Sequence, residues 1–186
     1  MIKKNNIQIF LIIGIFICFS LSCNESITES QSSENLLSNG SFEINGQPSL
    51  NGWRFGNKGL AELTNQAAPN GGNWSLQLTS DWAPTTGFIY TPVTNIKSQD
   101  IITLSAYVRA TGQFGGGGII NLVTGQSIYS GRIKSISTSD TVWNQISVTD
   151  TVKLNTNDTL WVVLSSLHTE LVPFKGLFDL VKIEKY

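Results

Sequence analysis

The chain has 186 residues, of which 13% are charged, and its formal net charge is −1 at pH 7. This charge excludes the basic excess that a nucleic-acid surface needs, so no nucleic-acid partner is expected. Both cysteines, Cys18 and Cys23, lie near the N-terminus. The sequence that follows them therefore offers neither a disulfide nor a cysteine metal site, and its length predicts one domain.

The N-terminus has the pattern of a secretion signal. A pair of lysines precedes an apolar run at residues 9–19, which has the length of a signal-peptide core and is too short for a bilayer span. The Ser-Leu-Ser-Cys sequence that ends at Cys23 resembles a bacterial lipoprotein box, in which the cysteine is lipidated. Ser20 stands where that box usually has an aliphatic residue, so an ordinary signal peptide with an incidental cysteine is the alternative. Cys18 lies inside the apolar run and is the weaker candidate.

Three segments are expected along the chain: a signal peptide at residues 1–22, a lipidated Cys23 with a flexible tether at residues 23–34, and a folded domain at residues 35–186. The tether is polar and rich in Ser and Glu, so it cannot bury enough apolar surface to offset the entropy of ordering. Asn24 follows the cysteine in place of the aspartate associated with inner-membrane retention. We therefore expect a cell-envelope protein that is anchored in the outer membrane.

The folded domain has the pattern of β-strands. Residues 100–110 alternate apolar and polar side chains with a period of two, as in a strand with one buried face. No comparable helical period occurs in the sequence. Further strand-like runs lie at residues 74–79, 87–90, 118–123, 142–152, 159–165 and 176–183. Short strands that are separated by turn residues, without crossover helices, predict an all-β fold of the β-sandwich or jelly-roll type.

The sequence contains no recognisable catalytic motif. His168 is the only histidine, and no Gly-x-Ser-x-Gly nucleophile elbow accompanies it. Most carboxylates lie in turn clusters or in the tether, so a pair for glycoside hydrolysis has no motif behind it. We expect His168 in a loop between strands and a protein that is not an enzyme. A hydrolase with an unrecognised site is the remaining alternative.

Several short segments of the domain follow a familiar order. They are NLLSNGSFE at residues 35–43, GWR at 52–54, WSLQL at 74–78, LSAYVRA at 104–110 and GLFDLVKI at 176–183. Together they resemble the jelly-roll carbohydrate-binding modules of families four, nine and twenty-two, and the wider galactose-binding-like superfamily. The resemblance covers residues 35–186 and implies a β-sandwich jelly roll.

The resemblance also implies a structural calcium site. Many such modules bind one Ca²⁺ with an acid from the first of these segments and an acid from the last strand, which here are Glu43 and Asp179. Asp179 also interrupts an apolar strand, where a carboxylate is costly to bury unless it is paired or bound to a hard cation. The alternative is that Asp179 faces solvent or meets a lysine.

A carbohydrate site is the second implication. Trp82 lies in a polar loop, at about the position where the family twenty-two type has a ligand-stacking tryptophan, although the upstream arginine of that family is missing. Tyr107 and Arg109 stand on the non-core face of the strand at residues 100–110. If that face is a groove, neighbouring elements add Gln113, Asn121, Gln126 and Tyr129. The alternative for each of these residues is a solvated sheet face.

The expected function is that of a lipid-anchored, non-catalytic protein that binds poly- or oligosaccharide through its sandwich. Its partners would be carbohydrate and, through the anchor, the membrane, and a protein of a polysaccharide-uptake system is compatible with this arrangement. The alternative is an assembly or adhesion lipoprotein whose sandwich binds protein. Among the other tryptophans, Trp53 is expected in the core, and Trp143 and Trp161 in or half in the core.

Overall fold

The computed structural model describes residues 35–81, 86–111, 116–167 and 174–186. All of them belong to one compact unit, Ser33–Tyr186. The helical structure in the described residues is one short 3₁₀ turn, Lys58–Leu60. Within these ranges no helix is long and apolar enough to cross a bilayer. The predicted signal peptide, both cysteines and the tether lie outside the described residues.

The described residues form twelve β-strands. They are β1 (Glu43–Ile44), β2 (Gln47–Pro48), β3 (Arg54–Phe55), β4 (Ala61–Thr64), β5 (Ser75–Ser80), β6 (Phe88–Val93), β7 (Ile101–Thr111), β8 (Gly118–Gly125), β9 (Arg132–Thr138), β10 (Asn144–Thr151), β11 (Thr159–Ser166) and β12 (Phe174–Lys185).

Ten of these strands form two antiparallel five-stranded sheets. Sheet A has the order β10-β7-β12-β5-β4, and sheet B has the order β3-β6-β11-β8-β9. Strands β1 and β2 form a separate hairpin, whose turn residues Asn45 and Gly46 have φ values of +52° and +73°. Both values lie in the left-handed region that a type I′ hairpin turn requires. The chain passes repeatedly from one sheet to the other after β5, and the result is the predicted jelly-roll β-sandwich.

The core lies between the two sheets and follows from the period-two pattern. On β7, every second residue from Ile102 to Val108 is fully buried in the core, and the residues between them face away from it. Sheet B contributes the corresponding alternate residues of β6, β8 and β11. Trp53 packs on Phe42 with 5.7 Å between ring centroids, which confirms that it is a core residue. The two outer faces of the sandwich are the surfaces on which binding sites can form.

Candidate functional site

The outer face of sheet B carries a group of aromatic side chains. Phe88 and Tyr90 flank the buried Ile89 on β6, so both of them point away from the core. On β11, Trp161 takes an outward position between two buried residues. In the register of the sheet, Trp161 pairs with Pro92 on β6, two residues after Tyr90. The strand pattern therefore brings three aromatic rings to one surface.

These rings contact one another in a continuous row. The Tyr90 and Trp161 rings meet edge to face at 5.9 Å between centroids, and Phe88 lies 6.3 Å from Tyr90. Arg54 on β3 pairs with Tyr90, and its guanidinium carbon lies 5.9 Å from the Trp161 ring centroid. The indole N–H of Trp161 donates to the Gly125 carbonyl at 3.3 Å, which fixes the ring plane. Each of these side chains leaves part of its surface open to solvent.

Tyr129 and Asn121 complete this surface. Tyr129 comes from the β8–β9 loop, is 79% exposed, and meets the Phe88 ring edge-on at 6.4 Å. Within that loop, the hydroxyls of Ser127 and Ser130 share a hydrogen bond of 2.8 Å. The Asn121 amide, on β8, donates to the Val163 carbonyl at 3.1 Å. We call this surface the aromatic face and define it as Arg54, Phe88, Tyr90, Asn121, Tyr129 and Trp161.

The aromatic face combines two kinds of chemistry. Half-exposed rings offer flat apolar surfaces, and Arg54 and Asn121 offer polar groups beside them. Serine hydroxyls extend this polar edge, because Ser135 and Ser137 on β9 lie opposite Asn121 and Ile119 in the register. Such a surface suits a ligand with apolar C–H patches and many hydroxyl groups.

A second group of functional side chains lies at sheet A, where Asp179 is fully buried. The Ala68 N–H donates to Asp179 Oδ2 at 2.9 Å, and the Leu180 N–H donates to Asp179 Oδ1 at 2.7 Å. Burial raises the pKa of Asp179 to about 6, and the nearby Glu43 carboxylate adds to the rise, although the two hydrogen bonds lower the pKa. The sequence-based alternative that Asp179 faces solvent is wrong: Asp179 lies opposite Tyr107 in the register, on the outer side of sheet A, and the segment that contains Ala68 and Gly71 covers its carboxylate.

Glu43 reaches the same place from β1. Its Oε2 accepts a hydrogen bond from the Asn73 N–H at 3.0 Å. Between the two acids lies a glycine pair: a Cβ on Gly71 would collide with Asp179 Oδ2, and a Cβ on Gly72 would collide with the Glu43 carboxylate. The absence of side chains on these glycines thus lets both carboxylates approach the main chain of the turn. We call Glu43, Asp179 and the Gly71–Gly72 turn the carboxylate cradle.

The carboxylate cradle fits a hard cation that takes main-chain oxygens. No cluster of three or more His, Cys, Asp or Glu side chains occurs among the described residues, so carbonyl oxygens or water would have to complete the coordination. Ca²⁺ accepts such mixed oxygen ligands. The backbone is strained on both sides of the cradle, because Phe42 has φ +57° and Leu180 has φ +48°.

Structural comparison gives the fold a clear set of relatives. The family 61 carbohydrate-binding module TmCBM61, solved in complex with β-1,4-galactotriose, has 17% sequence identity and a TM-score of 0.56; the match covers 83% of this chain and 100% of that one. The CBM22-1 xylan-binding domain of Paenibacillus barcinonensis Xyn10C also has 17% identity and a TM-score of 0.56, with 82% and 95% covered. The chain has the fold of a carbohydrate-binding module.

A family 16 carbohydrate-binding module extends this agreement, with 16% identity, a TM-score of 0.57 and coverage of 80% of this chain and 99% of that chain. Comparison of the sequence with protein-family models and with curated proteins finds no match. The fold that the sequence resemblance implied is therefore confirmed by the three-dimensional structure.

Within this carbohydrate-binding-module fold, the residues predicted to line one groove fall on two sheets. Asn121 and Tyr129 belong to the aromatic face, and Gln126 is exposed at the start of the same β8–β9 loop. Tyr107 and Arg109 lie on the outer face of sheet A, because β7 pairs with β10 and β12 and with no strand of sheet B. The prediction of a single groove that holds both sets of residues is therefore wrong. Trp82, Gln113 and His168 lie outside the described residues.

The sheet A pair has its own surroundings. Arg109 Nη2 donates to Gln66 Oε1 at 2.6 Å, and its guanidinium carbon lies 5.3 Å from the Trp143 ring centroid. Tyr107 lines a cavity of about 420 Å³ together with Gln145 and Lys182. A ligand role for Tyr107 and Arg109 stays a prediction, and it would need a second site on this side of the sandwich.

Sequence reasoning missed Arg54, Phe88 and Tyr90, and it assigned Trp161 to the core or half-core. Trp161 is half-buried, but it lies on the outer face. A signal was present in β6, where Phe88 and Tyr90 alternate with the buried Ile89. The signal was hidden because both sets of alternating residues are largely apolar, so the pattern alone does not show which set faces the core.

Proposed function

We propose that the chain is a lipid-anchored, non-catalytic glycan-binding protein of the bacterial cell envelope, and that the aromatic face is its binding site. The aromatic face carries the proposal, since rings stack on the C–H faces of sugars while amide and guanidinium groups bind sugar hydroxyls. The structural relatives support it: one was solved with galactotriose and another is named a xylan-binding domain. A poly- or oligosaccharide is the ligand class that follows.

Binding to a panel of immobilised polysaccharides tests the proposal. The full chain should be retained on at least one plant or microbial glycan, and soluble oligosaccharides of that glycan should release it. Release of reducing sugar, measured in the same samples, should stay at the background level of a heat-denatured control. Retention on no glycan would contradict the binding function, and steady sugar release would contradict the non-catalytic part.

A protein ligand is the second candidate, and exposed apolar residues beside the aromatic face favour it. Ile133 is 58% exposed and lies opposite Val123 in the register, so it shares the outer side of sheet B. Isolated exposed apolar residues are common on soluble domains, so this observation is weaker than the row of aromatic rings. Retention that oligosaccharides cannot release would favour an assembly or adhesion role.

We further propose that the carboxylate cradle binds a structural Ca²⁺ ion. The buried Asp179 and the adjacent Glu43 supply two acidic ligands, and the glycine pair lets both carboxylates lie close to the main chain of the turn. The ion would offset the repulsion between two nearby carboxylates, one of which is fully buried. It would also tie the first hairpin to the last strand.

The anchor is proposed at Cys23, on the basis of the sequence pattern alone. In a bacterial host, the full chain should incorporate labelled palmitate and sediment with the outer-membrane fraction. Cys23→Ser should abolish both, since the thiol is the attachment point, whereas Cys18→Ser should change neither. Labelling that survives Cys23→Ser and is lost in Cys18→Ser would move the anchor, and labelling in neither parent nor variants would remove it. An outer-membrane position would suit a partner in polysaccharide uptake.

A further inference from the structure

The charged residues in the strands of sheet B are all positive. The five strands of sheet B contain three basic residues, Arg54, Arg132 and Lys134, and no Asp or Glu. Two of these three are not on the aromatic face: Lys134 lies opposite the buried Leu122 and shares its side of the sheet, and Arg132 forms an ion pair with Asp150 on β10. Arg54 is therefore the charged residue that the described strands of sheet B place on the aromatic face.

Arg54 is also free to bind an anion. Its side chain is exposed, and no acidic side chain of the described residues forms an ion pair with it. Its contact is with the Trp161 ring, at 5.9 Å. An exposed guanidinium over an indole ring has N–H groups left to form two parallel hydrogen bonds to a carboxylate.

The strands of sheet B contribute no acidic side chain that would repel an acidic ligand. Asp158, which lies three residues before Trp161 in the sequence, accepts hydrogen bonds from the Asn155 main-chain and side-chain N–H groups, and so is held in its own turn. Specificity needs both an attractive contact for the right ligand and the absence of an unfavourable one. Arg54 supplies the attractive contact, and the strands of sheet B have no Asp or Glu that would repel an acidic ligand.

We propose that the aromatic face prefers glycans that contain uronic acids, with the sugar carboxylate on Arg54 and its pyranose ring on the neighbouring aromatic residues. This inference rests on the proposed glycan-binding function and names its ligand class. Arg54 lies beside Tyr90 on the neighbouring strand, so the carboxylate of one sugar would bind there while adjacent sugars lie along the aromatic row. Neutral glycans would bind through stacking and hydrogen bonds to their hydroxyls, without the charged contact.

A matched pair of polymers tests the preference: polygalacturonate and the same polymer after reduction of its carboxyl groups to primary alcohols. The wild-type chain should bind polygalacturonate more tightly, as measured by isothermal titration calorimetry at moderate salt. Arg54→Gln should weaken that binding about tenfold or more, since a charge-assisted bidentate pair is lost, and should weaken binding to the reduced polymer much less, since only hydrogen bonds to hydroxyls are lost there. Arg54→Lys, which keeps the charge without the fork, should fall between the two.

Lys134→Gln is the control, because it removes the same charge from the same sheet on the other side. It should not affect either polymer, which separates a specific contact from general attraction to a polyanion. Equal binding of the two polymers by the wild type, or equal losses in Arg54→Gln and Lys134→Gln, would overturn the preference and leave glycan binding standing. If the wild type binds neither these polymers nor any glycan of the panel, the proposed function itself fails.

Discussion

Replacing Trp161 with alanine is expected to weaken binding of the preferred glycan about 30-fold or more, since truncation of a central aromatic anchor typically costs about 2 kcal/mol or more. The indole contacts both the Tyr90 ring and the Arg54 guanidinium, so its loss removes a stacking surface and the support of the cation together. Isothermal titration calorimetry gives the affinity, and the melting temperature of the variant shows that it is folded.

Trp143→Ala is the matched control for this result. Trp143 is also half-buried and also packs under an arginine, Arg109, but it lies at sheet A. We expect it to retain full binding. The opposite outcome, with binding lost in Trp143→Ala and kept in Trp161→Ala, would place the site around Tyr107 and Arg109. Trp82→Ala belongs in the same series, because the sequence predicts that its loss abolishes retention on the glycan.

Strand positions were largely predictable, whereas the partners of each strand were not. The alternating pattern at residues 100–110 corresponds to β7, Ile101–Thr111, because one face of that strand is buried along its whole length. Strand β9, Arg132–Thr138, was missed. It is an edge strand with almost every residue exposed, so no buried face imposes a pattern on its sequence.

The candidate site depended on pairing, which periodicity does not contain. Tyr107 and Asn121 follow one another on successive strands of the chain, yet β7 and β8 belong to opposite sheets. Their separation results from contacts distant in sequence, such as the pairing of β7 with β12 and of β8 with β11. The burial of Asp179 has the same origin, because Ala68, whose N–H donates to its carboxylate, lies 111 residues earlier in the chain.

Calcium is expected to raise the melting temperature of the full chain by several degrees near neutral pH and to have little effect at about pH 4. The sign follows from Asp179, whose pKa rises from 3.8 to about 6 in the folded state. A folded state that holds this proton more tightly than the unfolded state loses stability as the pH rises from about 4 to about 6. A shift of this size corresponds to roughly 2–3 kcal/mol in the metal-free protein.

Calcium offsets that loss because it binds the deprotonated carboxylate, and so its effect grows over the same pH range. Asp179→Asn should lose the calcium effect and flatten the stability profile between about pH 4 and about pH 6, since the titrating group is gone. Asp100→Asn is the control, because Asp100 lies away from the carboxylate cradle. The main-chain N–H of Lys97 donates to Asp100 and lowers the pKa of that carboxyl. The calcium effect should therefore persist in this variant. Scanning calorimetry with calcium and then with chelator measures each midpoint. Equal melting midpoints of the wild type with calcium and with chelator at about pH 7, where Asp179 is charged, would rule out a structural ion at the carboxylate cradle.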